Sequence, residues 1–302
     1  MQTLMQLRSG ALRGAVSLKL SEGLTRFPEE IFDLADTLEV LDLSRNELSE
    51  LPADFGRLKK LRILFCSDNL FTVLPVVLAD CPVLDMVGFK ANRIATVPPV
   101  SLNRNLRWLI LTNNNITALP ATIGRCHRMQ KLALAGNQIS ELSAELSNCH
   151  NLALLRISAN RLTHLPGWLL TMPRLAWLAF SGNLFNTAPA AAALPSIPWQ
   201  QLEIGNVLGE GASGIIYKAI MRGATENRIV AVKIFKGAVT SDGLPEDEMN
   251  AFIAAGRHPG LVQLTGELTG HPEGNKGIVM ELISEGFHNL GMPPSFASCS
   301  RD

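Results

Sequence analysis

LEVLDLSRNELSELP, residues 38 to 52, places leucine at its first, fourth and sixth positions, asparagine at its ninth and Leu-Pro at its end. Apolar spacing of three and then two residues fits neither a 3.6-residue helical period nor a heptad. The pattern returns as LRILFCSDNLFTVLP from Leu61 and as LDMVGFKANRIATVP from Leu84. Further copies start at Leu106, Met129 and Leu152, a partial one at Leu175, and a weaker one near Ala15 with Gly23 in the asparagine position. From Leu38 onward the starts lie 22 or 23 residues apart. A fixed period of this length predicts a solenoid. Each repeat should contribute one short strand, with positions one, four and six turned into a shared core.

These copies resemble the leucine-rich-repeat family. Asn46, Asn69, Asn92, Asn114, Asn137, Asn160 and Asn183 stand at the family's asparagine position. The resemblance implies that each of these side chains bonds the backbone of its own turn and stacks as a ladder. It also makes the atypical first copy a cap. The expected solenoid covers residues 1–185, with about eight repeats.

On each strand the third and fifth positions should face the concave side, opposite the buried fourth and sixth. The third positions read Val40, Ile63, Met86, Trp108, Lys131, Leu154 and Trp177; the fifth read Asp42, Phe65, Gly88, Ile110, Ala133, Arg156 and Ala179. That is an apolar stripe where solvent is expected, and contiguous exposed apolar surface with aromatic anchors marks interfaces. The candidate partner-binding residues are Ile63, Phe65, Met86, Trp108, Ile110, Leu154, Arg156 and Trp177. Three repeats separate the two tryptophans, which puts them roughly 15 Å apart. The alternative is the scattered exposed apolar surface that all proteins carry.

Five cysteines, Cys66, Cys81, Cys126, Cys149 and Cys299, form no C-x-x-C pair. Cys81, Cys126 and Cys149 share one repeat position and Cys66 takes an inward one, so they read as small core hydrophobes. The six histidines are scattered without metal-ligand spacing, so no metal is expected. Formal net charge is zero with no long basic run, which argues against a nucleic-acid partner. The N-terminal segment has no signal-peptide core, and no uncharged apolar stretch is long enough to span a bilayer. The expectation is a cytoplasmic protein with reduced thiols.

Residues 186–201, NTAPAAAALPSIPWQQ, read as an Ala- and Pro-rich linker. Beyond it, LGEGASGIIYKA holds Gly209, Gly211 and Gly214 in G-x-G-x-x-G spacing. A dinucleotide-binding turn would need a helix next, but β-branched IIYKAI and then RIVAVKIFK predict a hairpin. This hairpin resembles the N-terminal lobe of protein kinases, over residues 202–285. The resemblance implies that Leu208, Gly209, Gly211, Gly214 and Ile216 cover ATP. It places Ala231 and Lys233 in V-A-I-K, with Lys233 on the phosphates, and makes Met280, Glu281 and Ile283 gatekeeper and hinge. Glu248, with Glu246 as the alternative, is the implied helix partner of Lys233.

The implied architecture is therefore an α/β leucine-rich-repeat solenoid followed by an α+β partial kinase N-lobe, an antiparallel sheet plus one helix. Residues 286–302 would begin a truncated C-lobe. The order of parts is similar to that of soluble, mostly bacterial, leucine-rich-repeat kinases. Neither H-R-D-x-x-x-x-N nor D-F-G occurs, so no catalytic residue is assigned; Mg²⁺ would need the missing lobe. Two functions remain open: a Ser/Thr protein kinase that binds ATP and chooses a protein partner through its repeats, inactive in this truncated form, or a non-catalytic interaction module with a remnant lobe.

Overall fold

The computed structural model describes residues 2–185, 194–211, 213–223, 225–236, 243–244, 247, 249–250, 252, 258–284 and 286–287. The chain forms two compact units, Met1–Ala190 with Gly237–Glu248, and Ala191–Lys236 with Met249–Asp302.

The first unit is built on an eight-stranded parallel sheet in chain order. Its strands are β1 (Ser17–Lys19), β2 (Val40–Asp42), β3 (Ile63–Phe65), β4 (Met86–Gly88), β5 (Trp108–Ile110), β6 (Lys131–Ala133), β7 (Leu154–Arg156) and β8 (Trp177–Ala179). Pairing advances by one repeat per strand, so Val40, Ile63, Met86 and Trp108 lie side by side. Away from the strands the chain turns through short 3-10 segments such as Val76–Asp80 and Ala121–Arg125. Pro28, Pro75, Pro98, Pro120 and Pro166 directly precede five of these. Proline has a preset φ and no N–H, so it opens a helical turn at little cost. The helix α1 (Leu4–Arg8) begins in a capping box between Thr3 and Gln6 and closes the N-terminal end over Leu7.

The repeated leucines do fill the interior. Leu38, Leu41, Leu43, Leu61 and Leu64 have no exposed surface, and Cys66 replaces the sixth-position leucine with none either. Each such side chain contributes roughly 1.5–3 kcal/mol by leaving water. The asparagines do more than bond their own turn. Asn69 donates to Leu43 in the preceding repeat and to Ser67 in its own, and its carboxamide oxygen accepts from Leu48. Asn92, Asn114, Asn137 and Asn160 repeat this bridge between neighbouring coils. The residue before each asparagine is left-handed: Arg45, Asp68, Ala91, Asn113, Gly136, Ala159 and Gly182 all have φ between 50° and 73°. That bend aims the carboxamide inward. Ala91 and Ala159 adopt it without glycine's freedom, held by N–H bonds to Thr112 and Ser181 of the next coil.

The second unit carries a mixed six-stranded sheet in the order β10-β11-β12-β14-β13-β9. These are β9 (Ser196–Pro198), β10 (Leu202–Glu210), β11 (Gly214–Met221), β12 (Arg228–Phe235), β13 (Leu264–Thr269) and β14 (Gly277–Glu281). All neighbours are antiparallel except β9, which runs parallel to β13. The end of the expected linker is thus an edge strand. Ile197 is its buried residue, and Pro198 is tolerated because an edge strand leaves one backbone side unpaired. Met249, Asn250 and Phe252 are helical, in the stretch where a short helix was expected.

Candidate functional site

The concave side of the first sheet is partly as the alternation predicts. Ile63, Phe65, Trp108, Ile110, Leu154 and Arg156 are half-buried, and Trp177 is 54% exposed. Met86 departs from expectation: it is only 7% exposed, enclosed between Ile63 and Trp108 on the flanking strands. Met86 therefore shapes the floor and offers a partner almost no surface. Ala133 is likewise buried.

Two cations lie on the tryptophans. The Lys131 ammonium sits 3.7 Å from the Trp108 ring centre, and the Arg156 guanidinium 5.9 Å from that of Trp177. Both pairs follow from strand register. Lys131 is the direct neighbour of Trp108 across β5 and β6, and Arg156 stands diagonally beside Trp177 across β7 and β8. Lys131 is a residue that the apolar-stripe reading passed over, although its third-position register already placed it next to Trp108. At the other end of the face Lys19 and Asp42 form an ion pair of 2.6 Å. Burial would raise the Asp42 carboxyl, but bonds from Lys19 and from Ser44 hold it below its ordinary value.

In the second unit β10 and β11 form the glycine hairpin. Gly209 pairs with Ile216, and the Gly211 N–H donates to the Gly214 carbonyl. Space beside Gly209 and Gly211 is open, whereas a Cβ on Gly214 would meet the Ile234 carbonyl oxygen, and Lys233 Cε at 3.3 Å. The Lys233 ammonium lies 5.1 Å from the Phe235 ring centre. Ala231, Met280 and the half-buried Ile216 pack in one cluster with Phe235, Ile278, Met249 and Phe252. Alternation on β12 puts Lys233 on this same side, since Val230, Val232 and Ile234 pack in the opposite cluster. The sheet thus brings Ile216, Ala231, Lys233 and Met280 to one face. Leu208, Glu281 and Ile283 are exposed. Glu248 and Glu246 lie outside the described residues.

Residues 127–185 match a leucine-rich-repeat family model, and residues 37–58 and 105–126 match a second model of the same repeat. The first unit is a leucine-rich-repeat solenoid. Leucine-rich repeat and calponin homology domain-containing protein 1 of Mus musculus is 29% identical over 129 residues, 42% of this chain and 18% of its own length. A Dictyostelium discoideum protein named for an inactive serine/threonine-protein kinase, roco10, is 34% identical over 105 residues, 33% of this chain and 4% of its own. That match covers only the repeats. The chain spans less than a fifth of the length of these curated relatives. Among solved structures, the plant peptide hormone receptor RGFR1 in complex with RGF2 superposes with a TM-score of 0.50 at 26% identity, over 59% of this chain and 30% of the receptor chain. No helix among the described residues is long and apolar enough to cross a membrane.

Proposed function

We propose that the chain is a protein-interaction module that grips a protein partner on the concave face of β3 to β8. The observation that carries this reading is the set of half-buried apolar side chains on β3, β5 and β7, ending in the exposed Trp177 on β8. Anchors of this kind, partly buried and held by their own neighbours, lose little freedom when a partner covers them. The relatives agree in kind, since their likeness falls on the repeats. The test compares proteins cross-linked to the wild-type chain with those cross-linked to a W108D/W177D chain. Both chains must show the same circular dichroism. Partners lost by the double variant support the reading; an unchanged set refutes it.

A second reading is nucleotide binding by the second unit, as an N-lobe of the kinase type. Lys233 on the third strand of the antiparallel run, beside the open glycine hairpin, supports it. ATP would lie against Ile216, Ala231 and Met280, with its phosphates toward Lys233 and the hairpin N–H groups. No phosphoryl transfer is assigned, because the aspartates that would position substrate and Mg²⁺ have no counterpart in this sequence. Calorimetry with ATP should detect binding that Lys233→Met weakens about tenfold, the effect of removing one charged contact. Absence of heat at millimolar ATP would retire this reading.

A further inference from the structure

The solenoid closes one end of its sheet and leaves the other open. On β1 the outward backbone groups are taken by a side chain. Gln2 Nε2 donates to the Ser17 carbonyl at 3.0 Å, and the Lys19 N–H donates to Gln2 Oε1 at 2.8 Å. A carboxamide placed there substitutes for a neighbouring strand.

The last strand, β8, has no such cover. Its Trp177 N–H bonds to the Ala153 carbonyl and its Ala179 carbonyl accepts from the Ile157 N–H, so both residues turn their backbone groups to β7. Alternation turns the N–H and C=O of Leu178 the opposite way. In the coil before, the Ala153 carbonyl and the Ile157 N–H bond onward to the next coil. Their counterparts, the Ala176 carbonyl and the Phe180 N–H, meet no further strand of this sheet among the described residues. The core is open at the same place. Leu152, Leu155 and Ile157 have no exposed surface, whereas Leu175, Leu178 and Phe180, at the same three repeat positions, are half-buried. Trp177 is 54% and Leu184 66% exposed beside them. An uncovered strand edge bordered by uncovered core is a surface that takes another strand.

We propose that the β8 edge pairs antiparallel with the β8 edge of a second copy of this chain, about a two-fold axis at Leu178. Leu178 is the middle residue of β8, and its N–H and C=O both point outward, so two copies exchange both bonds there. The same register sets the Phe180 N–H of each copy against the Ala176 carbonyl of the other, which satisfies the groups left open. It also sets Trp177 opposite Ala179, so each indole meets a side chain small enough to leave it room. A two-fold interface requires self-complementarity of this kind. Charge agrees with it. The axis brings the exposed Arg174 of one copy toward the Gly182 bend of the other, where an Asp247 carboxylate oxygen lies 2.8 Å from the position of a Gly182 Cβ. Leu178 and Phe180 of the two copies then cover one another, completing the core that each alone leaves open. This edge is a surface separate from the concave face, and only Trp177 belongs to both.

The test is sedimentation velocity of the full chain. A concentration-dependent dimer is expected, populated by about 0.1 mM. Ala179→Glu, which puts bulk and charge against the indole of the second copy, should abolish it without moving the thermal midpoint. Arg174→Glu should weaken it about tenfold, as loss of two symmetry-related exposed pairs implies. Cross-linking gives a second readout that does not depend on the folding of the Ala179 variant. Leu178→Cys, with Cys299→Ser, should be linked to a second chain by mild oxidation, since Cα atoms about 5.5 Å apart in such a pair permit a disulfide. Met5→Cys, at the closed end and 79% exposed, should link far more slowly. A chain that stays monomeric at that concentration, a dimer indifferent to Ala179→Glu, or linkage through position 178 no faster than through position 5 would overturn the inference. Loss of the dimer on Ala179→Glu with indifference to Arg174→Glu upholds the strand pairing and removes only the Arg174 contact.

Discussion

The ring of Phe65 occupies the space that a side chain on Gly88 would need, since a Cβ there would come within 2.6 Å of Phe65 Cδ1. Phe65 and Gly88 are direct neighbours across β3 and β4. The ring, half-buried on the concave face, is therefore seated sideways over the next repeat rather than standing into solvent. Gly88→Val should drive the ring off this seat and destabilise the array by about 1–3 kcal/mol, the usual range for overpacking. Phe65→Ala in the same chain should recover most of that loss, because it empties the contested space. Urea denaturation of the two single variants and the double closes the cycle. Strict additivity would mean the two residues do not compete.

The asparagine ladder makes a sharper claim. Asn114 donates to the carbonyls of Phe89 and Leu111 at 2.9 and 3.0 Å, and its oxygen accepts from the Ile94 N–H at 2.9 Å. Asn114→Leu would leave these buried groups without that partner, at about 1–3 kcal/mol for each one left unsatisfied. A loss of about 3 kcal/mol or more is expected. Asn115→Ala, at the exposed next position, should shift stability by less than about 0.5 kcal/mol. Equal effects at the two positions would show that the ladder is incidental.

The repeat period was legible because it is written many times over: seven asparagines and the leucines around them all pose one spatial problem with one solution. Strand positions followed from it directly. The 3-10 turns were not read from Pro75 or Pro120, since the sequence between those prolines and the next leucine is variable. Edge strand β9 was hidden inside a Pro-rich stretch, because a single buried Ile197 gives no period to detect. On the concave face, alternation told which side Met86 faces but not that its neighbours close over it. Lys131 was assigned its position without its role, since a cation among apolar residues signals nothing until the adjacent strand supplies Trp108. In the second unit, the kinase-lobe resemblance singled out Ile216, Ala231, Lys233 and Met280 along the chain without showing how they lie in space. Their sharing one face needed the pairing of β11, β12 and β14.

Asp42 ties stability to acidity at the N-terminal end. Its carboxyl is held below its ordinary value by Lys19 and by the N–H and hydroxyl of Ser44, in spite of burial that would raise it. A depressed folded value stabilises the protein above the unfolded carboxyl range near pH 4, and the contribution disappears as pH falls through the folded value. Lys19 is largely exposed, so the worth is discounted to about 0.5–1 kcal/mol. Asp42→Asn should therefore unfold more readily than wild type at pH 7, with the difference vanishing near pH 2. A gap that persists unchanged at low pH would assign the effect to packing.

The thiols give the last prediction. Cys66, Cys81, Cys126 and Cys149 are free and buried. Burial raises Cys81 and Cys126 to about 11, and burial with the neighbouring Cys126 raises Cys149 to about 12; Cys66 is pushed up as well. The Cys149 thiol points at the Ile123 carbonyl of the preceding repeat, 3.3 Å away, and Cys126 at that of Asn103, 3.5 Å away. Each is thus a protonated, enclosed donor rather than a nucleophile, since only the thiolate attacks. Cys299, which lies outside the described residues, is replaced by serine to leave these four thiols alone. At pH 8 the C299S chain should then show no rapid reaction with a chromogenic disulfide reagent, and should release all four equivalents once urea unfolds the array. Slow labelling should track transient opening of the repeats, and stabilising the fold should slow it further. Prompt labelling of any of the four in the native chain would mean that the convex turns do not seal the core as the structure has them.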